Sequence, residues 1–261
     1  MGGLSARVAG RLRHTLPPAV IDAVAGLRLT LDPQRRRRMR ADATTCVSVQ
    51  DWLDFGRRHL PPGAVQRDVE AVGFFEYAAQ SAPRRVCELG TQYGGNNLIM
   101  SQMLPAEQVI GVDLHVCNRG PLRLLAPAGQ RLSYLNGSTT DPKTLAAVER
   151  LLGGELLDLL FIDGDHSFEG VRSDFLTYRH LVRPGGIIAF HDIQTDGREL
   201  GEVNNAYAGG VPVMWRLVRD RYPSREFIAD PVNQRGFGIG AITYSPDIVV
   251  TPDDLRENLA A

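Results

Sequence analysis

Four acidic residues stand where short apolar segments of the sequence end, and together they could hold a charged ligand. They are Glu88, Asp113, Asp163 and Asp192. Turns after strands are usually built from Gly, Asn or Ser, so carboxylates at four such positions are unexpected for turns alone. In an open α/β sheet, ligands bind beyond the carboxyl ends of the strands. The sequence therefore predicts a polar site at one edge of a sheet.

The loop at residues 88–97, which reads ELGTQYGGNN, is the predicted place where the ligand meets the backbone. Its candidate ligand-binding residues are Gly90, Thr91, Gly94 and Gly95. Glycines let a ligand approach the main chain closely. A dinucleotide-binding loop would read Gly-x-Gly-x-x-Gly, and the second of those glycines is missing here. Glu88 would repel a pyrophosphate and attract an ammonium group. We therefore expect a cationic cofactor rather than NAD.

Asp113 indicates that the cofactor contains a nucleoside. It ends the apolar segment 109–112 and follows Gly90 by about 20 residues, a position where an acidic side chain accepts hydrogen bonds from ribose hydroxyls. A lone aspartate after a strand is more often a turn or helix-cap residue. The prediction therefore depends on Asp113 in combination with the glycine loop and Glu88.

From residue 84 onward, short apolar segments alternate with amphipathic ones, which is the pattern of βα units around a parallel sheet. Seven strands are predicted, at 85–89, 109–112, 132–135, 157–162, 186–190, 226–228 and 236–243. Helices are predicted at 95–103, 121–126, 141–152, 168–181 and 211–222. The last two strands follow a single long helix, so we expect antiparallel pairing at one sheet edge. The predicted class is α/β, a Rossmann-like, seven-stranded, mostly parallel sheet with helices on both faces.

The first 82 residues have a different pattern, and we expect an N-terminal helical extension at 1–82 before a domain at 83–261. Helical apolar spacing occurs at 19–31, 47–60 and 69–79. The segment at residues 35–40 reads RRRRMR. Such charge runs usually form a solvated face or a loop, although this one could also hold an acidic partner or nucleic acid.

Composition excludes several classes of protein. The chain has 261 residues, 43% of them hydrophobic and 23% charged, which is typical of a globular protein rather than a disordered or fibrous one. Its formal net charge of -1 argues against binding of a polyanion by the whole surface. Three scattered cysteines fit neither a disulfide framework nor a Cys-x-x-Cys zinc site. No apolar run suits a signal peptide or a membrane span. We expect a cytoplasmic protein with no nucleic-acid and no membrane partner.

The motifs, in this order, resemble those of the class I S-adenosylmethionine-dependent methyltransferases. The resemblance covers residues 84–244. It implies that residues 88–95 hold the methionine part of S-adenosylmethionine and that Asp113 holds the ribose. It also implies that the segment 136–138, including Ser138, contacts the adenine, and that Asp163 lies against the cofactor.

A more specific resemblance lies in the segments 159–170 (LLFIDGDHSFEG) and 181–192 (LVRPGGIIAFHD). They are similar to the small-molecule O-methyltransferases of antibiotic tailoring, the branch of the macrocin-type sugar methyltransferases and the cephalosporin-hydroxylase-like proteins. The resemblance implies a divalent metal at Asp163, His191 and Asp192, with His166 as general base. His191 departs from the branch, which usually has Asp or Glu at that position.

Ligand chemistry supports part of this metal site. If the strands that end at Asp163 and Asp192 are neighbours, they lie about 4.8 Å apart and both carboxylates can reach one ion. Oxygen ligands favour Mg²⁺ or Mn²⁺ over zinc. The imidazole of His191 would soften the site and weaken Mg²⁺ binding, or would stay out of the coordination altogether.

His166 and Asp165 are the candidate catalytic residues. An acceptor hydroxyl must lose its proton, and an imidazole that titrates near neutrality suits that task. Asp165 could orient the imidazole or act as the base itself. The alternative is that this turn only caps the helix that begins at Phe168, through Asp165 or Ser167.

The connection at 193–210 is long and polar, and loops of this length in compact domains are usually functional. We expect it to cover the acceptor, with Asn204, Asn205 and Tyr207 placed to bond sugar hydroxyls. Turn-forming asparagines are the commoner explanation for such residues. Trp215, in the helix that follows, fits a core or interface position better than a stacking platform.

The predicted function is S-adenosylmethionine-dependent methylation of a hydroxyl on a small molecule, specifically a sugar of a glycosylated natural product. We also expect a homo-oligomer. Two alternatives stay open, a nucleic-acid methyltransferase that uses the basic run at 35–40 and a non-catalytic S-adenosylmethionine-binding scaffold. The first would be expected to carry an Asn/Asp-Pro-Pro-aromatic motif after the fourth strand, where this sequence has DGDH. The second would have lost the polar residues at the strand ends.

Overall fold

Seven strands form one mixed sheet in the computed structural model, which describes residues 18–60, 63–64, 66–197 and 207–256. They are β1 (Arg85–Leu89), β2 (Gln108–Asp113), β3 (Arg131–Asn136), β4 (Leu157–Ile162), β5 (Val182–His191), β6 (Ser224–Phe227) and β7 (Ile239–Thr243). Their order across the sheet is β3-β2-β1-β4-β5-β7-β6. The predicted α/β class with a seven-stranded, mostly parallel sheet is confirmed.

The five strands β3, β2, β1, β4 and β5 pair in parallel in that order, and this direction decides where the strands end. β7 runs antiparallel to β5, and β6 runs antiparallel to β7 at the edge of the sheet. The expected antiparallel edge is therefore present, with the later strand, β7, on the inside. In the parallel part, Glu88 of β1 aligns with Gly111 of β2 and Phe161 of β4. Ile162 of β4 aligns with Phe190 of β5. The carboxyl ends of these strands therefore lie at one edge.

Helices cover both faces of the sheet. Those described are α1 (Pro18–Leu31), α2 (Pro33–Ala43), α3 (Val49–His59), α4 (Asp68–Ala79), α5 (Gly95–Met103), α6 (Arg119–Leu125), α7 (Pro142–Leu152), α8 (Phe168–Tyr178) and α9 (Val211–Arg219), with 3-10 turns at Arg179–Leu181 and Pro252–Leu255. Successive strand residues face opposite sides, so Val86 packs in the core with α1–α6 and Cys87 in the core with α7–α9. Within the described ranges, no helix is long and apolar enough to cross a membrane.

The arginine-rich segment at residues 35–40 lies in α2, a helix that the sequence analysis did not predict. Asp32 caps this helix, because its side chain accepts a hydrogen bond from the Arg35 N–H at 2.9 Å, and Pro33 stands at the first helical position. Met39 is buried, whereas the arginines at 36, 37, 38 and 40 are exposed. The run thus forms a solvated helix face, and the overlooked signal was a capping aspartate followed by proline.

The hydrophobic core continues from the predicted N-terminal extension into the sheet. Phe74 of α4 is fully buried, and its ring centre lies 5.3 Å from that of Phe161 in β4 and 5.8 Å from that of Phe227 in β6. Trp52 of α3 and Met39 of α2 are buried in the same cluster. The division of the chain at residue 82 stays a prediction about its organisation.

Replacing Phe74 by alanine tests whether the N-terminal helices and the sheet share this core. The change empties a fully buried space between α4, β4 and β6, so we expect the free energy of unfolding to fall by about 3–5 kcal/mol. Urea unfolding followed by circular dichroism measures the loss. Val69→Ala on the same helix is the control, because Val69 is exposed and its loss should cost within about 0.5 kcal/mol. Wild-type stability in Phe74→Ala would contradict a shared core.

Candidate active site

The carboxyl ends of β1, β2, β4 and β5 bring the four predicted acidic residues to one edge of the sheet. Glu88 is the next-to-last residue of β1, Asp113 ends β2, Asp163 follows β4 and Asp192 follows β5. The main chain ties these ends together, since the Asp163 N–H donates to the Leu89 carbonyl at 2.8 Å. The predicted polar edge is therefore formed by strand pairing itself.

The glycine loop after β1 lies directly against the loop after β4. Gly90 has φ of +91°, and a Cβ there would stand 1.9 Å from the Asp163 carbonyl oxygen. Gly94, with φ of +79°, precedes the first turn of α5. A Cβ on Gly95 would stand 2.2 Å from the Ala64 nitrogen. Thr91 is buried and its hydroxyl donates to the Glu88 carbonyl at 3.4 Å. Close packing against backbone therefore requires glycine at 90 and 95, and the left-handed conformation favours glycine at 94, whatever ligand they meet.

Glu88 is buried beneath this loop. The Asn97 side-chain amide donates to its Oε2 at 2.9 Å. Burial raises the pKa of Glu88 to about 8, and the negative charge of Asp163 adds to this effect, while the Asn97 hydrogen bond opposes it. The carboxyl is therefore mostly protonated at neutral pH until a cation pairs with it.

Asp113 is held by two backbone hydrogen bonds, one to each carboxylate oxygen. The Gln92 N–H donates to Oδ2 at 2.9 Å, and the His115 N–H donates to Oδ1 at 2.7 Å. A carboxylate oxygen has a second lone pair, so both oxygens can still accept from a ligand hydroxyl. Leu114 beside it is 75% exposed. This apolar side chain, which the sequence analysis did not single out, would gain from being covered by a flat ligand ring.

The segment after β3 is the predicted adenine side. Ser138 is half-buried and its hydroxyl shares a hydrogen bond of 2.8 Å with that of Thr140. Asn136 accepts from the Val116 N–H at 3.1 Å and from the Arg119 guanidinium. Asp22 of α1 accepts from the Arg119 N–H at 3.0 Å, so the N-terminal helices also contact this side of the edge.

Asp163, His191 and Asp192 form the predicted metal cluster. Their candidate ligand atoms all lie within 4.8 Å of one another. Nδ1 of His191 lies 3.1 Å from Oδ1 of Asp163 and 3.4 Å from Oδ2 of Asp192. Two carboxylates this close repel each other, and an imidazolium between them compensates that repulsion.

Charge compensation is visible in the pKa values of this cluster. Burial by itself raises the pKa of Asp163, but His191 and His166 outweigh burial and bring the pKa to about 2. Burial lowers the pKa of His191, but Asp163 and Asp192 outweigh it and raise that pKa well above the ordinary value. The ionised carboxylates and protonated imidazoles therefore stabilise each other.

The donor types fit a hard divalent cation at the two carboxylates. A ligating imidazole normally donates its other N–H to an acceptor. Nε2 of His191 is buried and, among the described residues, has no hydrogen-bond partner. Asp163 and Asp192 are therefore the stronger candidate ligands and His191 the weaker one.

His166 lies against both carboxylates. Its Nε2 is 3.4 Å from Oδ1 of Asp163, and its Nδ1 is 3.4 Å from Oδ2 of Asp192 and 2.5 Å from the Tyr207 carbonyl oxygen. Burial lowers the pKa of His166, but Asp163, Asp192 and the Tyr207 carbonyl raise it to about 9. The ring is thus charged at pH 7, and the expected titration near neutrality does not hold while both carboxylates beside it are ionised.

Asp165 is exposed and engaged in the turn that begins α8. Its Oδ1 accepts from the Ser167 N–H at 2.8 Å, and the Ser167 hydroxyl accepts from the Gly170 N–H at 3.0 Å. These are the hydrogen bonds of a helix cap, which is the structural role that the sequence left open. Catalytic use of Asp165 stays a prediction.

The connection after β5 is described only in part, and the predicted Asn204 and Asn205 lie outside the described residues. Tyr207 is 52% exposed, and its ring is stacked on that of His166 with 6.0 Å between the ring centres. Trp215 is buried at 1% exposure and donates its indole N–H to Glu226 at 2.6 Å. Its core position agrees with the sequence-based interpretation.

Asp174 is a buried carboxyl beneath the site that the sequence analysis missed. It lies on α8 at 1% exposure, and its Oδ2 stands 3.1 Å from where a Cβ on Gly164 would be. Neither oxygen has a hydrogen-bond partner in the described part of the chain. Burial raises the pKa of Asp174 to about 6, Asp165 adds to this, and the nearby Thr139 side chain offsets it only in part. The surrounding helix sequence, VRSDFLTY, is an ordinary mixture of polar and apolar residues and gave no local signal that this carboxyl is buried.

Residues 87–193 match a family described as a methyltransferase domain. Over 114 residues the chain is 32% identical to the uncharacterized protein R132 of Acanthamoeba polyphaga mimivirus, with 41% of this chain and 50% of that protein covered. The chain thus spans about half the length of this curated relative.

Two solved structures share the fold. The O-methyltransferase from Bacillus cereus, in complex with SAH, superimposes with a TM-score of 0.54 at 18% identity, covering 75% of this chain and 90% of that one. The O-methyltransferase TomG from Streptomyces achromogenes, involved in tomaymycin synthesis and in complex with SAM, gives 0.51 at 17% identity, covering 76% and 89%. At these identities the likeness shows the fold.

Asp174→Asn tests the buried carboxyl through the pH dependence of stability. Because the pKa of about 6 lies above the ordinary 3.8, the folded state binds this proton more tightly than the unfolded state. The contribution of the protonated Asp174 carboxyl to the free energy of unfolding is therefore fully present below about pH 4. It is lost as pH rises through 6, because the buried carboxyl then ionises. The asparagine variant should therefore gain about 2–3 kcal/mol relative to wild type between pH 4 and pH 7.

Urea unfolding at the two pH values measures that difference. The exposed Asp247→Asn is the matched control for removal of a carboxyl as such. If the stability difference between Asp174→Asn and wild type is the same at pH 4 and pH 7, the carboxyl is not buried in the way described.

Proposed function

We propose that the chain transfers a methyl group from S-adenosylmethionine to a hydroxyl of a small molecule, because residues 87–193 match a methyltransferase-domain family. The family match over residues 87–193 and the shared fold both support the class I resemblance found in the sequence. The observation that supports the reaction most directly is the contact of His166 with both Asp163 and Asp192 at 3.4 Å, at the same edge as the glycine loop and Asp113.

The proposed cofactor-binding residues are Glu88, Gly90, Thr91, Gly94, Gly95, Asp113, Ser138 and Asp163. When bound, S-adenosylmethionine supplies a methyl group on a positively charged sulfur. Glu88 and Asp163 contribute negative charge on the methionine side, which favours both the ammonium and the sulfonium. Asp113 has lone pairs left for the ribose hydroxyls, and Leu114 gains cover from the adenine.

His166 is the proposed general base, and its charge state sets a condition on the reaction. A base must start neutral, whereas Asp163 and Asp192 raise the pKa of His166 to about 9. The role therefore requires that another group neutralise these two carboxylates. A divalent cation held by these carboxylates would supply that neutralisation and would polarise the acceptor hydroxyl. We assign Asp163 and Asp192 as its main ligands, with His191 as a weaker third.

A sugar hydroxyl of a glycosylated natural product is the proposed acceptor, which would place the reaction in antibiotic tailoring. Support comes from the sequence resemblance and from Tyr207, a half-exposed ring beside His166 that offers a surface for a small ligand.

Assembly as a homo-oligomer stays a prediction. The exposed arginines of α2 are the observation that favours a nucleic-acid substrate, and the intact polar edge speaks against a non-catalytic scaffold.

Calorimetry with S-adenosylmethionine tests the cofactor and the role of Glu88 together. Below a pKa of about 8 the Glu88 carboxyl must release a proton to pair with the ammonium. Affinity should therefore fall by roughly tenfold per pH unit from pH 7.5 to 6, with release of close to one proton at pH 7. Glu88→Gln should bind more weakly and lose this pH dependence. NAD is the control ligand and should not bind. Failure of S-adenosylmethionine to bind would remove the proposed function.

His166→Ala tests the proposed base. Turnover with a glycoside acceptor found by screening should fall by roughly 10²-fold or more, while the affinity for S-adenosylmethionine stays near the wild-type value. His180→Ala is the matched control, because His180 is 54% exposed and outside the site. Wild-type turnover in His166→Ala would contradict the base assignment. RNA and DNA are tested beside the glycosides, and methylation of a nucleic acid alone would favour the alternative substrate.

A further inference from the structure

Glu70 is a fully buried residue of helix α4, in the predicted N-terminal extension. Its side-chain carboxylate contacts the loop between β6 and β7. Its exposure is 0%. Oε1 accepts from the Ala229 N–H at 3.1 Å and from the Gln234 side-chain amide at 2.6 Å, and Oε2 accepts from the Gly238 N–H at 2.9 Å. A buried carboxylate is costly unless it is hydrogen-bonded, and here three N–H donors of one loop satisfy it.

The same loop holds the segment that begins with Asp192. The Phe237 N–H donates to Oδ1 of Asp192 at 3.0 Å. The Gln194 N–H donates to the Phe237 carbonyl at 2.9 Å, and the Gly236 N–H donates to the Thr195 carbonyl at 2.7 Å. One carboxylate oxygen of Asp192 is thus fixed by the loop, while Oδ2 faces His166 and His191.

The backbone is strained at Asp192 and Phe237, so this contact needs support from other parts of the chain. Asp192 has φ of +61° and Phe237 has φ of +60°, a left-handed conformation that residues other than glycine rarely adopt. Such conformations persist only where the surroundings over-determine them. The N-terminal region supplies a second contact besides Glu70, because the guanidinium of Arg67 lies 5.5 Å from the centre of the Phe237 ring.

We propose that Glu70 is a positioning residue for the divalent-cation site, acting through the Gly238–Phe237 backbone to fix the carboxylate of Asp192. The inference rests on the proposed function, because it takes Asp192 as a cation ligand. It gives the N-terminal extension a part in the chemistry, since α4 supplies the carboxylate that holds the loop. Groups that hydrogen-bond directly to a metal ligand typically change metal affinity by about 10–100-fold when they are removed. Glu70 acts on such a group, the Phe237 N–H, so we expect an effect at the lower end of this range.

The test is the binding of Mn²⁺ to the full chain with no cofactor added. Electron paramagnetic resonance measures the free ion, and the affinity follows from the fraction that is bound. Glu70→Ala should weaken Mn²⁺ binding by about tenfold or more, with S-adenosylmethionine affinity close to wild type. Glu70→Gln, which keeps the volume and one acceptor oxygen toward Gly238, should recover part of the loss. Gln234→Met removes one donor from the other side of the contact and should weaken Mn²⁺ binding in the same direction.

Glu76→Gln is the matched control, since Glu76 lies on the same helix and is exposed. Circular dichroism shows which variants fold. If Glu70→Ala does not fold, the Mn²⁺ affinities of Glu70→Gln and Gln234→Met still test the proposal. If the wild type binds no Mn²⁺, the proposed cation site fails. If the wild type binds Mn²⁺ and the folded Glu70 and Gln234 variants bind it equally well, Glu70 is only structural and this inference is overturned.

Discussion

The close approach of two carboxylates, Asp163 and Asp192, is the interaction on which the candidate site depends. Like charges at this distance repel strongly where water is largely excluded. Here two imidazoles, His166 and His191, lie against them and carry raised pKa values. The protein therefore contains its own cations at the place where a divalent cation is proposed to bind. The same balance decides whether His166 is an imidazolium or a base.

The close approach of these two carboxylates is imposed by the backbone rather than by the choice of side chains alone. β4 and β5 are adjacent and parallel, so the residues that follow them must emerge side by side. Gly90 allows the loop after β1 to lie against the Asp163 carbonyl, which brings the cofactor loop to the same point. Asp192 adopts a left-handed conformation directly after β5, and the loop before β7 holds its carboxylate. Site geometry thus follows from strand order, one glycine and one supported turn.

Local sequence patterns predicted the elements that are defined locally. The bounds of β1, β4 and α5 agree with the prediction because each is an apolar or amphipathic segment between glycine or polar turns. β5 begins at Val182 rather than at 186, because Val182 pairs with Leu157 across an irregularity in the ladder. β7 begins at Ile239 rather than at 236, because Gly236 and Phe237 bond to the segment after Asp192 instead.

What the sequence could not predict depends on contacts between distant residues. The acidic residues at the strand ends were found because residue type and strand order suffice to place them at one edge. The raised pKa of His166 was not predicted, since it requires the distances to Asp163 and Asp192. Glu70 lies 168 residues from Gly238, on a helix whose pattern gives no sign of a buried carboxylate. Asp174 is similar, because only the packing of α8 under Gly164 deprives it of partners.

Anomalous X-ray scattering from crystals grown with Mn²⁺ and S-adenosylhomocysteine tests the central claim most directly. We expect one strong manganese peak within about 2.4 Å of carboxylate oxygens of both Asp163 and Asp192, with the ribose on Asp113 at the same sheet edge. A manganese peak elsewhere, or a nucleoside bound away from the ends of β1 and β2, would contradict it.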